Sequence, residues 1–254
     1  GASPLLNEFI STVRPLVLFN TTGGSPVQMS SFKFKKITMA CHKIPADDYP
    51  ECLFALKEDG KTISTFNYKL RYPNDYRFTF RRDILLNSDT AFVYDDCFVQ
   101  APFWAQNIYC YFINPTTNQT KLVSFSATQT TPTEKILPFV IIEVKILEGI
   151  LFVVMKKNDG KVYVGGINAR ASTIANIELL GNSAVEVIQA TVPGHAGCQA
   201  LVKDLRQTGG FSLTMHFTCT GANVIARIDT AQLFNAMDAN LILNLGQAVP
   251  IDLQ

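Results

Sequence analysis

The chain has 254 residues, of which 47% are hydrophobic and only 17% charged. Its 22 Lys+Arg and 21 Asp+Glu leave a formal net charge of +1, so no strong field draws it to nucleic acid or to an anionic membrane. No apolar run reaches the length of a membrane-spanning helix. This length builds one large all-β domain or two smaller ones. Low charge suits faces covered by neighbouring subunits, or wide sheets around a large core.

In chain order, Ser3 to Phe19 reads as an amphipathic arm. Leu5, Leu6, Phe9, Ile10 and Val13 recur at helical spacing, Ser3-Pro4 supplies a start, and Pro15 an end. Leu5, Leu6 and Phe9 are its candidate contacts with a partner subunit. A Gly/Ser/Thr connector follows, so residues 1–29 form an arm ahead of the first β-unit. From Ser31 the pattern turns to strands. Alternation along a strand places Lys33 and Lys35 on one face. Lys33, Lys35 and Lys36 are therefore candidate RNA-facing residues; the plainer reading is a solvated strand face.

Leu53–Lys61 (LFALKEDGK) organises the rest. It recurs at Leu151–Lys161 (LFVVMKKNDGK), with the two Asp-Gly pairs 100 residues apart. Each is an apolar strand run ending in a hairpin signal, because Gly tolerates the positive φ of a type I′ turn. The repeat suggests two similar β-units, residues 30–128 and 139–254, joined by a Thr/Pro-rich linker at 129–138. Two unrelated hairpins sharing a common turn are the alternative.

Between the repeats, Tyr76–Phe80 alternates aromatic and polar residues like a half-buried strand. Asp83–Ser88 reads as a short helical turn, and Thr90–Val99, Asn107–Ile113 and Leu122–Ala127 as strands. Trp104, the single tryptophan, is a candidate interface anchor or a core residue. In the second half, Phe139–Ile146, Gly149–Met155, Ile174–Leu180, Ala184–Val192, Phe211–Thr220 and Asn223–Ile228 carry β signals. Thr230–Ala239 reads as a helix capped by Asp229 or Thr230. Many short strands and few helices predict an all-β fold, an antiparallel β-sandwich or jelly roll, built as two β-units behind a short N-terminal helical arm.

The chemistry is sparse. Six cysteines are scattered without a C-x-x-C pair, so no zinc site is expected. Their apolar neighbours suggest small buried hydrophobes in a reducing compartment. The N-terminus has no signal-peptide pattern, so the acceptor patterns Asn20-Thr21-Thr22 and Asn118-Gln119-Thr120 are expected to go unused. Cys41 and His42 are strand neighbours and point to opposite faces. Cys198 lies in a Gly-flanked loop with His195, but Gly197-Cys198-Gln199-Ala200 lacks the following Gly that shapes an oxyanion hole. Asp47-Asp48 and Asp95-Asp96 read as polar loop tips. No catalytic residue, metal, cofactor or small-molecule substrate is expected.

Cys52–Leu56, Tyr76–Phe80 and Asn107–Thr120 (NIYCYFINPTTNQT) give residues 30–128 a similarity to jelly-roll coat proteins of picorna-like plant viruses, the comovirus and nepovirus relatives. Gly1 and Gln254, with no initiator Met, resemble the ends left by a 3C-like protease acting on a viral polyprotein. The resemblance implies a capsid subunit without an active site, found in the virion and assembling in the host cytoplasm. Its partners would be copies of itself, sister subunits and viral RNA. The two-unit layout also resembles matrix proteins of enveloped negative-strand viruses, which assemble under a membrane. A two-barrel cysteine protease using His42 and Cys198 is the enzymatic alternative.

Overall fold

The computed structural model describes residues 14–18, 27–42, 51–71, 75–99, 107–126, 128–147, 149–188, 199–200, 206–207, 212–219, 222–239, 243–244 and 249–251. These residues form an all-β protein of mostly antiparallel sheets with two α-helices. The first sheet runs β1 (Arg14–Leu18), β2 (Val27–His42), β3 (Glu51–Lys57), β4 (Thr62–Arg71) and β5 (Asp75–Leu85), each paired with its sequence neighbour. The second runs β6 (Val93–Val99), β7 (Asn107–Asn114), β8 (Gln119–Ser126) and β9 (Thr133–Leu137). Both are meanders. A jelly roll instead interleaves strands from distant segments.

A third sheet contains β10 (Val140–Leu147), β11 (Ile150–Lys156), β12 (Val162–Asn168) and β13 (Val185–Ile188). Short strands β14 (Gln199–Ala200) and β15 (Arg206–Gln207) and the longer β16 (Ser212–Cys219) and β17 (Ala222–Asp229) follow. After these, β18 (Leu243–Asn244) joins β13 in parallel, and β19 (Val249–Ile251) pairs with β17. The helices are α1 (Ile174–Ser183) and α2 (Thr230–Asp238). The chain divides into two compact units, residues 1–112 with 121–135, and residues 113–120 with 136–254.

In the first unit the core is a cluster of alternate residues from both sheets. Phe54, Ile63 and Ile84 of the first sheet meet Ile108, Phe112, Val123 and Phe125 of the second, all nearly or wholly buried. Phe54 and Phe125 rings lie 6.0 Å apart. Residues adjacent to these core positions on β3, β7 and β8 are buried as well, so these strands are covered on both faces.

The repeated hairpins form, with turn geometry of their own. Gly60 N donates to Lys57 O at 3.0 Å and Gly160 N to Lys157 O at 2.9 Å. In each turn only the Gly has positive φ, 66° and 79°, so these are not the type I′ turns expected from Asp-Gly. They are type I turns followed by a left-handed Gly, the three-residue hairpin loop. The preceding Asp keeps ordinary φ and uses its carboxylate: Asp59 Oδ1 accepts from Lys61 N at 2.8 Å, and Asp159 Oδ1 from Lys161 N at 2.9 Å.

Four other expectations change. Arg14–Leu18 is strand rather than the end of a helical arm, and Pro15 sits on an edge strand where its missing N–H costs little. Asp83 lies within β5 opposite Ser64, not in a helical turn. Ile174–Ser183 is helix α1, not strand: Thr173 Oγ1 caps Asn176 N at 3.1 Å, and Ile177, Leu180 and Gly181 bury one helical face. Among the described residues the cysteines are not free thiols. Cys97 of β6 and Cys110 of β7 form a disulfide, and Cys52 is disulfide-bonded as well.

Candidate functional site

The second unit carries a cleft of about 560 Å³ between the β11–β12 turn, the approach to β10, and α1. Its floor is fixed by backbone proximity. Phe139 is 2% exposed and lies against Gly181, where a Cβ would meet its ring. One residue earlier Leu180 covers Gly165 of β12, and a Cβ there would fall 2.7 Å from Leu180 Cδ1. Glycine at these two positions lets α1 sit close on its sheet.

The rim is polar. The turn supplies Lys157, Asn158 and Asp159, and α1 supplies Glu178 and Asn182, with Leu179 60% exposed beside them. Asp159 Oδ2 accepts the Tyr163 hydroxyl at 2.7 Å, and Lys157 Nζ stands 4.0 Å from the Tyr163 ring centroid. The hydrogen bond from Tyr163 holds the Asp159 carboxyl below its ordinary value. The same bond pushes the Tyr163 phenol up to about 12. Burial lowers the Lys157 ammonium, and nearby Asp159 partly offsets this. Lys161 pairs with Glu186 at 3.1 Å. Among the described residues the polar groups of the cleft lining are Lys157, Asn158, Asp159, Glu178 and Asn182. Among the described residues no three His, Cys, Asp or Glu side chains group as a metal site would require.

The first unit offers a different feature, the open edge of β5. Among the described residues β5 pairs only with β4. An aromatic row leads to it: Phe34 meets Phe66 edge-on at 6.2 Å, and Phe66 meets Phe80 at 5.9 Å. Phe34 and Phe66 are buried, whereas Phe80 on β5 is 57% exposed. Leu85, at the end of the same strand, is 56% exposed.

Of the residues expected to face RNA, Lys36 is held within the unit. Its Nζ lies 3.1 Å from Asp96 Oδ1 and donates to Asp95 O at 3.1 Å. Lys35 is exposed and is the extra residue of a bulge, since Phe34 faces Lys57 and Lys36 faces Leu56. The bulge breaks the alternation that set Lys33 beside Lys35. Lys33 pairs with Pro15 in the β1–β2 register, and its side chain lies outside the described residues. So do Leu5, Leu6, Phe9, Trp104, His195 and Cys198. His42 ends β2 opposite Glu51. Sequence reasoning passed over the cleft because its parts come from three separate segments. Its one visible signal was the Asn158-Asp159-Gly160 turn.

No family model matches the chain, and no curated protein matches it. Among solved structures it is similar to prolyl oligopeptidase B from Galerina marginata, bound to a hydrolysis and macrocyclization substrate. One such structure has a TM-score of 0.48 at 9% identity, covering 99% of this chain and 33% of that one. Another has a TM-score of 0.46 at 11% identity, covering 97% and 32%. The chain thus spans about a third of these proteins' length, and likeness at this level assigns no activity.

Proposed function

We propose that this protein acts by association, as a β-structured subunit that assembles with copies of itself or with sister subunits. The observation that carries the reading is Phe80, at the end of an aromatic row and 57% exposed on a strand open at one edge. Natural edges are usually guarded by outward charges. Here two of the three arginines of β5 turn inward instead: Arg81 and Arg82 are only 21% and 17% exposed, and both contact Glu51. Among the described side chains of β5, Asp83 is exposed but paired with Lys57, and Phe80 and Leu85 are the exposed apolar ones. A low content of charge, 17%, fits faces that are covered. The virus-shell form of this reading rests on the sequence similarity alone, and the meander order of the sheets adds nothing to it.

The test is a pair of substitutions on the exposed edge, Phe80→Glu with Leu85→Lys, followed by size-exclusion chromatography of the native protein. Loss of the larger species with circular dichroism unchanged supports the reading. Unchanged elution of an assembled species removes β5 as the contact.

A further inference from the structure

The disulfides alter what the acceptor pattern Asn118-Gln119-Thr120 means. Cys97 and Cys110 are bonded inside the first unit's core, 7% and 0% exposed, and Cys52 is bonded too. Forming each such bond takes two electrons and two protons from a thiol pair, and compartments that keep a disulfide oxidant are where this persists. Those compartments in eukaryotic cells also hold the asparagine-linked glycosylation machinery.

The geometry then selects the site. Asn118 is the last residue of the four-residue loop between β7 and β8, and all four residues Pro115 to Asn118 are exposed. Its φ is 52°, a left-handed conformation that Asn tolerates better than other residues with a Cβ. Buried Asn114 braces the loop from beneath, its Oδ1 accepting from Thr116 N at 3.0 Å and Thr117 N at 3.2 Å. A bulky solvated group at Asn118 would stand on a rigid hairpin tip.

We propose that Asn118 is an N-glycosylation site and that the chain folds in an oxidising secretory compartment. The donor is an oligosaccharide linked to a lipid pyrophosphate. The Asn118 side-chain nitrogen forms a bond to the anomeric carbon as the anomeric C–O bond breaks. The lipid pyrophosphate leaves with the electron pair, and the amide loses one proton. Thr120 sets the timing. It is fully buried, its hydroxyl donating to Phe139 O at 2.8 Å and accepting from Ile141 N at 2.8 Å. The pattern is therefore closed once β8 is in place, and transfer precedes folding of this edge.

The experiment directs the full chain into the secretory pathway of cultured eukaryotic cells and measures the intact mass before and after treatment with a peptide-N-glycan amidase. The treatment is expected to lower the mass and to leave Asp at position 118 on peptide mapping. Asn118→Gly, which suits the positive φ, is expected to abolish that portion of the shift. Asn20→Gln tracks the other acceptor pattern. Thiol counting in denaturant is expected to find Cys97 and Cys110 unreactive until reduced. Unmodified Asn118 in secreted, disulfide-bonded protein overturns the site. Free thiols at Cys97 and Cys110 overturn the compartment.

Discussion

Arg82 reaches Glu51 across the first sheet, its Nε 3.2 Å from Glu51 Oε2, while its neighbour Arg81 places Nη1 2.5 Å from the same oxygen. Consecutive strand residues normally point to opposite faces. The register explains the exception. Thr65 of β4 faces Arg82 and Phe66 faces Phe80, so Arg81 is an extra residue bulged out of the ladder. A second bulge at Cys52 sets Glu51 opposite Asn67. Glu51 is fully buried and also accepts from Thr65 Oγ1 at 2.8 Å. Arg82 goes further, donating to Ser126 O at 2.8 Å and to Gln129 O.

Removing one member of a buried ion cluster leaves uncompensated charge. Glu51→Gln is therefore expected to cost about 3–5 kcal/mol of stability. Lys57→Ala, which breaks the half-exposed pair with Asp83, is expected to cost under about 1 kcal/mol. Denaturant midpoints at unchanged m-value check both. Similar losses from the two variants would remove the special role of the Glu51 cluster.

At the cleft, Gly181→Ala drives a methyl into the Phe139 ring. Overpacking of this kind costs about 1–3 kcal/mol. Thermal unfolding is the readout. A neutral or stabilising result would mean that α1 can lift from Phe139 freely.

The Asp159–Tyr163 bond predicts a pH response with two limits. The depressed Asp159 contributes stability above its ordinary value of 3.8, lost as pH falls through its lower folded value. The raised Tyr163 contributes below its ordinary 10.0, lost as pH rises through about 12. Ultraviolet tyrosinate titration of wild type against Asp159→Asn isolates the effect. The variant is expected to release one tyrosine to a lower pH, and superimposable curves would contradict the bond.

The Cys97–Cys110 bond closes a separation of 13 residues. A loop near this size is worth about 3 kcal/mol. Cys97→Ala with Cys110→Ala is expected to lower the unfolding midpoint accordingly, and no change would contradict a bond within the core.

Much of this was legible in the sequence, and the failures have physical causes. The two Asp-Gly hairpins and the all-β class followed from apolar runs and turn residues. Helix α1 was missed because Ile174, Ile177 and Leu180 fit a β-rich composition, while its true signal was the Thr173 cap. The convergence of Arg81 and Arg82 depends on one-residue bulges, which no periodic pattern reveals. The disulfide depends on which strands become neighbours, and Cys97 and Cys110 meet only once β6 pairs with β7. The cleft required distant Phe139, Lys157 and Gly181 to come together.

The central claim is association through an exposed β edge, and the most direct measurement is the native mass by light scattering across protein concentration and salt. The account predicts species heavier than the single 28.1 kDa chain, with mass rising as concentration rises. A monodisperse 28.1 kDa particle under every condition would contradict it.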